Sequence, residues 1–567
     1  MSQYTIAEAV PAATAAALAE YPAYVQQLLY NRGLTDPATC AQFLAPAYDE
    51  HLHDPFLLPD MERTVERVLS AIAAGEHIAI FADYDSDGIP GAVIAHDLFT
   101  ALKHAAFSIH IPHRHYEGFG LSESAVVSII AEHQPAVLLT IDCGVSDIAA
   151  VASATAAGVD VIITDHHEPK ETLPDAYAIV NPKIGGSYPF PGLCGAAVFF
   201  KVAQAVLTRG EFAVPAGYEK WWLDMVGIAT IADMVPLTDE NRVLAYYGLT
   251  VLRKSRRPGL QQLLRKQRVE QRHLSEDDIG FIIGPRINAA SRMDAPEDAF
   301  HLLTATDETV AGQYVTHLED LNQQRKTAVA QMTKELHKRV AVTTDLPPVL
   351  VFGNPEWRPS LVGLAANKLA EEYQRPAFLW GRDGNALHKG SCRSGGGVSV
   401  VQLMAATAEA FSAYGGHHFS GGFTVADEHL HTLPQTLVRA YETLGEEALV
   451  ATKHQVDLTL TLADITPDFI AWQRKCGPFG CDNPKPLYLF RQVVPERVEQ
   501  FGKQQEHTKL RFTTNGLARE AIAFFTTPER FSVVPQAGVP ADILAHVEES
   551  YFMNRHQVRL RVVDIVK

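Results

Sequence analysis

Three short apolar runs that each end in aspartate constrain the fold of this chain more than any other feature. They span residues 77–83, 136–142 and 159–165, and helix-like stretches separate them. Short buried strands that alternate with helices are typical of a doubly wound α/β fold with a parallel sheet. Ligands of such folds bind beyond the carboxyl ends of the strands. We therefore expect Asp83, Asp142 and Asp165 to converge on one crevice.

The remaining pattern divides the chain into several parts. Its 567 residues are enough for about three or four domains, at roughly 100 to 200 residues each. Residues 307–340 contain no proline and predict one long connecting helix, and the short alternating strands beyond 455 predict a small antiparallel barrel. We expect an N-terminal helical segment, a catalytic α/β domain, the connecting helix, a smaller α/β domain and the barrel, at 1–50, 51–306, 307–340, 341–454 and 455–567.

Composition excludes the disordered and the membrane-spanning classes of protein. The chain is 47% hydrophobic and 20% charged, as globular proteins are. No apolar run reaches the length of about 18 residues that a membrane span needs, and the N-terminus lacks the basic start of a secretory signal. Its six cysteines form no CxxC pair, which favours reduced, structural thiols. We expect a cytoplasmic protein without membrane contact.

The charges are unevenly distributed. A net charge of −18 argues against a basic coat for nucleic acid over the whole surface. Residues 253–273, however, hold eight Lys and Arg side chains against one Glu. Such a run is typical of a solvated helix face, but in an acidic protein it also fits a track for phosphates. Both interpretations remain open from the sequence.

The segment Asp83-Tyr84-Asp85-Ser86-Asp87 is the densest acidic motif and follows an apolar strand directly. Three carboxylates this close, with no basic neighbour, repel one another unless a cation holds them. The spacing is similar to a calcium-binding EF-hand loop, but position 12 is Ile94 instead of the required Glu. A calcium loop is therefore excluded, and an Asp-rich turn that caps the next helix remains the structural alternative.

Further metal-ligating residues follow the other strands and one helix. Asp142 ends the second strand, Asp165-His166-His167 ends the third, and Asp233 ends an apolar helical run. Mixed carboxylate and imidazole ligands suit manganese, iron or zinc better than calcium, because nitrogen ligands favour transition metals, and we expect manganese or magnesium. Adjacent histidines on an extended chain point to opposite sides, so we expect only one of them to face the metal. Two neighbouring metals bridged by a carboxylate would suit phosphoester hydrolysis, while Asp233 alone could equally be a helix cap.

In this order, the motifs DYDSDG, IDCG, DHH and IADMVPL resemble the DHH phosphoesterase superfamily. The surrounding sequence is similar to the RecJ family of that superfamily, which are single-strand-specific 5′-to-3′ DNA exonucleases. The likeness continues through HRHYEGFGL, GPRINAASR, GSCRSGGG, GGHHFSGGF and CGPFGCDNPKP and covers nearly the whole chain. A lone DHH triplet would be a weak signal, whereas this ordered series is specific.

The resemblance implies a two-metal site in which Asp142 is the bridge. The implied ligands are Asp83, Asp85, Asp87, Asp142, His166 and Asp233. All of these except Asp83 are also implied to be catalytic, together with His167, which resembles a phosphate contact. Asp165 is implied to support the ligands from behind, because metal ligands need outer partners that fix their orientation.

The same resemblance implies a pocket for the terminal phosphate of the DNA strand. Its implied residues are Arg114, His167, Arg286, Ser391, Arg393 and His417. Arginine suits this role because its planar fork binds phosphate with two parallel hydrogen bonds. A blind pocket for one free phosphate would explain cleavage from the strand end. The sequence departs from the usual family pattern at Ser291, Arg358 and Ser360, where Gly, His and Gly are common.

The fold implied by the resemblance is a doubly wound parallel-sheet DHH domain, a long connecting helix, a smaller α/β DHH-associated domain and a C-terminal OB-like β-barrel. Barrels of this kind bind single strands through a basic groove and stacking aromatics. Tyr551, Phe552 and Arg555 are candidate contacts there, with the alternative that the aromatic rings belong to the core.

We therefore expect a metal-dependent exonuclease that hydrolyses single-stranded DNA from its 5′ end to mononucleotides, in DNA repair and recombination. Two Mn²⁺ or Mg²⁺ ions are expected to activate water. A single-strand-binding protein and a helicase are candidate partners, and a monomer is expected. The alternatives are a phosphodiesterase for short oligonucleotides or cyclic dinucleotides, against which the barrel counts, and a non-catalytic DNA-binding or replication scaffold, against which the complete metal-ligand set counts.

Overall fold

A computed structural model describes residues 4–343, 345–382, 387–395, 397–444, 454–514, 517–552 and 555–566. The side chains of Phe552 and Arg555, two of the candidate DNA contacts, lie outside this description. The N-terminal elements are β1 (Tyr4–Ile6), α1 (Ala12–Ala17), α2 (Ala23–Tyr30), α3 (Pro37–Leu44) and α4 (Tyr48–His51).

A five-stranded, fully parallel sheet in the order β3-β2-β4-β5-β6 forms the centre of the catalytic domain. Its strands and flanking helices are α5 (Met61–Ala74), β2 (Ile78–Ala82), α6 (Gly88–Ala101), β3 (Phe107–His110), α7 (Glu123–His133), β4 (Val137–Ile141), α8 (Ile148–Ala156), β5 (Asp160–Thr164), β6 (Ala178–Val180) and α9 (Gly195–Arg209). Helices α5, α6 and α9 cover one face, and α7 and α8 cover the other. Cover on both faces explains why β2, β4 and β5 are almost continuously apolar, and the predicted doubly wound sheet is confirmed.

Helices complete the catalytic domain and lead out of it. They are α10 (Leu223–Ala232), α11 (Asp239–Leu252), α12 (Pro258–Gln267), α13 (Glu276–Asp278), α14 (Gly284–Met293), α15 (Glu297–Thr304) and α16 (Glu308–Ala341). Helix α16 is the predicted long connection of 34 residues. It begins after Asp307, whose carboxylate accepts hydrogen bonds from the backbone of Thr309 and Val310, as an N-cap residue does.

The second α/β domain is built on a five-stranded mixed sheet in the order β10-β11-β9-β8-β7. Its elements are β7 (Leu350–Gly353), α17 (Pro359–Tyr373), β8 (Ala377–Arg382), β9 (His388–Arg393), α18 (Val400–Ala405), β10 (Ala413–Gly416), β11 (Ser420–Val425) and α19 (Leu433–Leu444). Helices α16 and α17 pack on one face, and α18 and α19 pack on the other. The domain is therefore joined to the catalytic domain through α16.

The C-terminal domain is a seven-stranded sheet in the order β13-β14-β18-β19-β17-β16-β15. Its elements, with the short strand that precedes it, are β12 (His454–Val456), β13 (Leu458–Leu460), α20 (Pro467–Cys476), β14 (Tyr488–Val493), β15 (Arg497–Phe501), β16 (His507–Thr514), β17 (Leu517–Ala523), β18 (Ala541–Phe552) and β19 (Arg555–Val566). Two pairings, β13 with β14 and β17 with β19, are parallel, so the sheet is mixed.

The N-terminal helices pack on this C-terminal sheet. Leu28 and Phe43 share one core with Phe512 and Leu560, and β1 pairs with β12 in parallel register. The two ends of the chain therefore form one structural unit. No helix among the described residues has the length and apolar character of a membrane span.

Candidate active site

Three strand ends deliver the predicted aspartates to one edge of the parallel sheet. Asp83, Asp142 and Asp165 each follow the last residue of a strand, β2, β4 and β5 respectively. The Asp83 amide donates to the Ile141 carbonyl at 3.1 Å, and the Asp142 amide donates to that of Thr164 at 2.9 Å. These bonds extend the ladder by one residue beyond each strand. Side chains 59 residues apart in sequence, those of Asp83 and Asp142, are thus held beside each other.

The turn from β2 into α6 is closely packed around Asp85 and Asp87. Asp85 Oδ1 accepts from the backbone amides of Asp87 at 2.8 Å and Gly88 at 3.2 Å. A Cβ on Gly88 would lie 2.2 Å from the Asp83 carbonyl oxygen, so only glycine fits there. The carboxylate of Asp87 accepts from the amides of Gly195 at 2.6 Å and Ala196 at 2.8 Å. The positive N-terminal end of α9 therefore stabilises its negative charge.

His166 lies at the point where four segments meet. Its Nε2 is 3.2 Å from Asp142 Oδ1, 3.7 Å from Asp87 Oδ2 and 3.7 Å from Asp233 Oδ2. Asp233 reaches this point as the C-terminal capping residue of α10. Asp142 Oδ1 and Asp83 Oδ1 are buried without a hydrogen-bond partner. Because burying an unpaired carboxylate oxygen is costly, this arrangement indicates that cations complete the site.

The ligand atoms form adjoining groups in which all atoms lie within 4.8 Å of one another. These groups are Asp83 with Asp85 and Asp142, Asp87 with His166 and Asp233, and Asp142 with His166 and His167. Asp142 and His166 each belong to two of them, and of these only the carboxylate, which has two oxygens, could bridge two ions. All six side chains of the implied metal set are thereby brought together, and their oxygen and nitrogen donors fit Mn²⁺ or Mg²⁺.

Burial and mutual repulsion perturb the protonation of this set. Burial, followed by the charge of Asp85, raises the pKa of Asp87 to about 6. Burial and the charge of Asp87 raise the pKa of Asp233 to about 9, and the pKa of Asp142 also lies well above its usual value. Burial and the neighbouring His167 lower the pKa of His166 to about 3, so its imidazole is neutral and has a lone pair for a metal. Divalent cations would hold the carboxylates in their charged form.

Asp165 binds His167 and has no free oxygen for a metal. Its Oδ1 accepts from the backbone amides of His166 and His167 and lies 2.8 Å from His167 Nδ1, while Oδ2 accepts from the amide of Val145. Burial opposes ionisation, yet the His167 hydrogen bond lowers the pKa of Asp165. Burial likewise opposes protonation of His167, but the hydrogen bond and charge of Asp165 raise its pKa to about 9. His167 is therefore a cation beside the metal ligands.

The two histidines do not point to opposite sides, as an extended chain would require. Their ring centroids lie 4.7 Å apart, and both rings approach Asp142. The reason is that β5 ends at Thr164 and the Asp165 carboxylate bends the following backbone by binding both amides. The expected opposite orientation of the rings was therefore wrong, whereas the expectation that only one of them binds metal stays a prediction, because Asp165 occupies Nδ1 of His167.

Three of the six implied phosphate-pocket residues, Arg114, Ser391 and Arg393, lie near the boundary between the two α/β domains. The guanidinium carbon of Arg114 is 4.9 Å above the Tyr84 ring. Ser391 and Arg393, on β9, pack against α17, where a Cβ on Gly363 would lie 3.2 Å from Ser391 Oγ and 3.0 Å from Arg393 Nη2. His417 lies in the turn between β10 and β11, where its amide donates to the Ser420 carbonyl at 2.7 Å.

Arg286 is engaged in contacts within the protein. Its Nε donates to Glu319 at 2.7 Å, its Nη2 to Gln267 Oε1 at 2.6 Å and its Nη1 to the Ile282 carbonyl at 2.9 Å. These bonds tie α14 to α12 and α16. The geometry therefore favours a structural role for Arg286 over direct contact with phosphate.

Arg292, at the end of α14, was not among the site residues predicted from the motifs. Burial, and then the positive charges of Arg114, Arg325 and Arg393, lower its pKa to about 9. Within the described part of the chain, no carboxylate lies within salt-bridge distance of any of these four arginines. Four guanidinium groups without a salt-bridge partner among the described residues would favour an anion such as phosphate. The GPRINAASR motif contained the signal, but not which of its two arginines lacks a carboxylate partner.

Tyr551, the candidate DNA contact of the C-terminal sheet whose side chain the structure describes, already stacks on other side chains of the protein. The Tyr551 ring stacks on His273 with centroids 3.8 Å apart and on His556 at 4.6 Å. Tyr551 therefore joins the C-terminal domain to the end of the basic segment 253–273. Within that segment Arg257 is buried against Asp97 and Asp224, so the segment is not a continuous phosphate track.

Comparison with known proteins agrees with this architecture. Family models match at residues 77–230 (DHH family, N-terminal domain), 346–443 (DHHA1 domain) and 456–564 (RecJ OB domain). The chain is 34% identical to the single-stranded-DNA-specific exonuclease RecJ of Bacillus subtilis over 95% of this chain and 67% of that protein. It is 30% identical to the same exonuclease of Salmonella typhimurium, over 78% of this chain and 80% of that protein.

Among solved structures, RecJ of Thermus thermophilus in complex with Mn²⁺ superposes with a TM-score of 0.81 at 25% identity, covering 99% of this chain and 79% of that one. The predicted arrangement of a DHH domain, a DHH-associated domain and an OB-like domain is thus confirmed. By its sequence and its fold, this chain belongs to the RecJ family.

Proposed function

We propose that this protein is a metal-dependent exonuclease that hydrolyses single-stranded DNA from the 5′ end to mononucleotides. The observation that carries the proposal is the buried Asp142 Oδ1, which has no hydrogen-bond partner and lies among the other carboxylates and His166. The activity named for the relatives, single-stranded-DNA-specific exonuclease, supports the same reaction.

In this proposal six side chains hold two divalent cations, Mn²⁺ or Mg²⁺. They are Asp83, Asp85, Asp87, Asp142, His166 and Asp233, with Asp142 shared. When bound, such ions lower the pKa of water and stabilise the charge that develops in phosphodiester hydrolysis. The N-terminus of α9 keeps Asp87 in place, and Asp165 keeps the DHH turn in place.

His167 contributes a positive charge to substrate binding in this proposal. Its Nδ1 is occupied by Asp165, and 39% of its side chain is exposed beside the metal ligands. The Asp165 hydrogen bond fixes the orientation of the ring and keeps it protonated. A protonated imidazole in this position would bind a non-bridging oxygen of the scissile phosphate.

The arginine cluster, formed by Arg114, Arg292, Arg325 and Arg393, would determine that the reaction starts at the 5′ end. Arg114, Arg292 and Arg393 present positive charge without carboxylate partners among the described residues, and Ser391 and His417 lie in the same domain as Arg393. A terminal 5′-phosphate held there would place the next phosphodiester at the metal centre. Each cycle would then release one mononucleotide.

The C-terminal OB-like domain would bind the strand beyond the active site, as such folds bind single strands. Action on DNA in repair and recombination would place the protein in the cytoplasm, with a single-strand-binding protein and a helicase as partners. We propose that it acts as a monomer, since both α/β domains supply their part of the site from one chain.

The test is a degradation assay with purified protein, MnCl₂ and a 5′-phosphorylated, 3′-labelled oligonucleotide. We expect stepwise shortening from the 5′ end, mononucleotides as the product, and no reaction on the matching blunt duplex or with Asp142→Ala. Cleavage of a dinucleotide but not of a long oligomer would instead favour a short-oligonucleotide phosphodiesterase. Strand binding without any metal-dependent turnover would favour a scaffold.

A further inference from the structure

Ser360 and Arg292 form a reciprocal pair of hydrogen bonds across the boundary between the two α/β domains. Ser360 Oγ, in the first turn of α17, donates to the Arg292 carbonyl at 2.9 Å. The Nη1 of Arg292, in the last turn of α14, donates to the Ser360 carbonyl at 2.6 Å. Ser360 is buried, with 6% of its surface exposed. We call this pair of bonds the Ser360–Arg292 clasp.

The clasp holds a side chain that its surroundings repel. Arg292 is close enough to Arg114, Arg325 and Arg393 for their charges to disfavour its own, and no ion pair between described residues includes it. Without a fixed acceptor, a guanidinium in this position would turn away from its like-charged neighbours. The Ser360 carbonyl is such an acceptor. No other hydrogen bond joins the Arg292 side chain to the described residues, so its remaining donors are left for an anion.

The clasp also connects the two halves of the arginine cluster. Arg114 and Arg292 belong to the catalytic domain, whereas Ser391 and Arg393 belong to β9 of the second domain. Helix α17 carries both Ser360, which binds Arg292, and Gly363, against which Ser391 and Arg393 pack. A shift of α17 relative to α14 would therefore change the distance between the two pairs of side chains.

We propose that Ser360 is a positioning residue for recognition of the terminal phosphate. Through the clasp it sets the position of Arg292 and the spacing between the catalytic-domain half and the second-domain half of the pocket. This inference rests on the proposed exonuclease function and specifies how its preference for a phosphorylated end is built. Ser360 does not contact the metal ligands, and we do not expect it to contact the DNA.

The experiment compares two oligonucleotides that differ only in a 5′-phosphate or a 5′-hydroxyl, each degraded by the full-length protein with Mn²⁺. The unaltered protein should favour the phosphorylated strand in kcat/KM. Ser360→Ala keeps the backbone carbonyl that binds the Arg292 guanidinium but removes the Oγ bond that holds the start of α17 to the end of α14. The looser attachment should reduce that preference about threefold to tenfold, with little change on the hydroxyl strand. Ser360→Thr retains the hydroxyl and should restore the preference.

Ser399→Ala is the matched control. Ser399 is also a buried serine of the second domain, and its Oγ accepts a hydrogen bond from the Gln402 amide at the start of α18. Its loss should affect both substrates equally. In a protein that already carries Arg292→Lys, Ser360→Ala should cause a smaller loss of phosphate preference than it causes alone, because part of its effect is transmitted through the Arg292 guanidinium.

Three results would refute the inference. They are equal activity of the unaltered protein on both strands, an equal loss on both strands in Ser360→Ala, and multiplying losses in the double variant. If the unaltered protein degrades neither strand, the proposed function itself fails, and that outcome is distinct from active protein without a phosphate preference. Thermal unfolding of each variant identifies any that fails to fold, and Ser360→Thr then supplies the comparison.

Discussion

The Oδ1 atom of Asp142 lies 3.2 Å from the Nε2 atom of His166 and is buried without a hydrogen-bond donor of its own. Burial of this oxygen costs free energy on folding, because it loses its hydrogen bonds to water and gains no hydrogen bond within the protein. A site of this kind is stabilised by its ligand. We therefore expect the metal site to be the least stable region of the metal-free protein.

Asp142→Asn should separate stability from activity. Loss of the shared carboxylate should lower kcat by at least about a thousandfold, while removal of a carboxyl group whose ionisation burial and neighbouring carboxylates oppose should stabilise the metal-free protein by about 1 to 3 kcal/mol. Adding Mn²⁺ should raise the Tm of the unaltered protein but leave that of the variant nearly unchanged. Thermal denaturation with and without Mn²⁺ measures both effects, and an equal metal-induced shift in the two proteins would contradict the prediction.

Binding of Mn²⁺ should release protons. In the metal-free protein the pKa of Asp233 is raised to about 9 and that of Asp87 to about 6, so Asp233 is protonated at neutral pH. A metal binds only the deprotonated carboxylates, and its apparent affinity should therefore rise as the pH increases from about 6 to about 9. Calorimetric titration in buffers of different ionisation enthalpy counts the protons. A heat of binding that is independent of the buffer would speak against these shifts.

Gly195→Ala should weaken the metal centre by a steric route. A Cβ at this position would lie 2.5 Å from the Cβ and 2.6 Å from Oδ1 of Asp142, so the carboxylate proposed as the bridge would have to move. We expect a loss of Mn²⁺ affinity of at least tenfold, measured by calorimetry. Gly312→Ala is the control, because the Cβ there meets nothing within 4 Å. In the interior of α16 that change should stabilise the protein by about 0.5 to 1 kcal/mol.

Lys201→Met should destabilise the catalytic domain without a direct effect on chemistry. Lys201 Nζ lies 2.7 Å from Glu240 Oε2, and both side chains are fully buried between α9 and α11. Leaving the buried Glu240 carboxylate without its cationic partner should lower the free energy of unfolding by about 3 to 5 kcal/mol. Lys220→Met removes a partly exposed pair with Asp49 and should cost less than about 1 kcal/mol. Urea unfolding compares the two, and similar losses would show that burial of the pair is not decisive.

The sequence by itself determined where the candidate metal-binding carboxylates lie. Apolar runs of five to seven residues ending in aspartate are local signals, and a parallel sheet brings the carboxyl ends of its strands to one edge. Asp83, Asp142 and Asp165 could therefore be assigned to one crevice from their neighbours in sequence. The long helix α16 was equally predictable, because its N-cap at Asp307 and its freedom from proline are local.

Only the tertiary structure decided which of the predicted arginine side chains have a carboxylate partner within the protein. Arg286 and Arg292 stand six residues apart in one motif, but Glu319 and Gln267 occupy the first while three arginines surround the second. The packing of the N-terminal helices on the C-terminal sheet was likewise not visible in any local pattern. The physical reason is that the partner of a charge or of an apolar face is set by contacts between distant segments, whereas strand and helix patterns are set by neighbours along the chain.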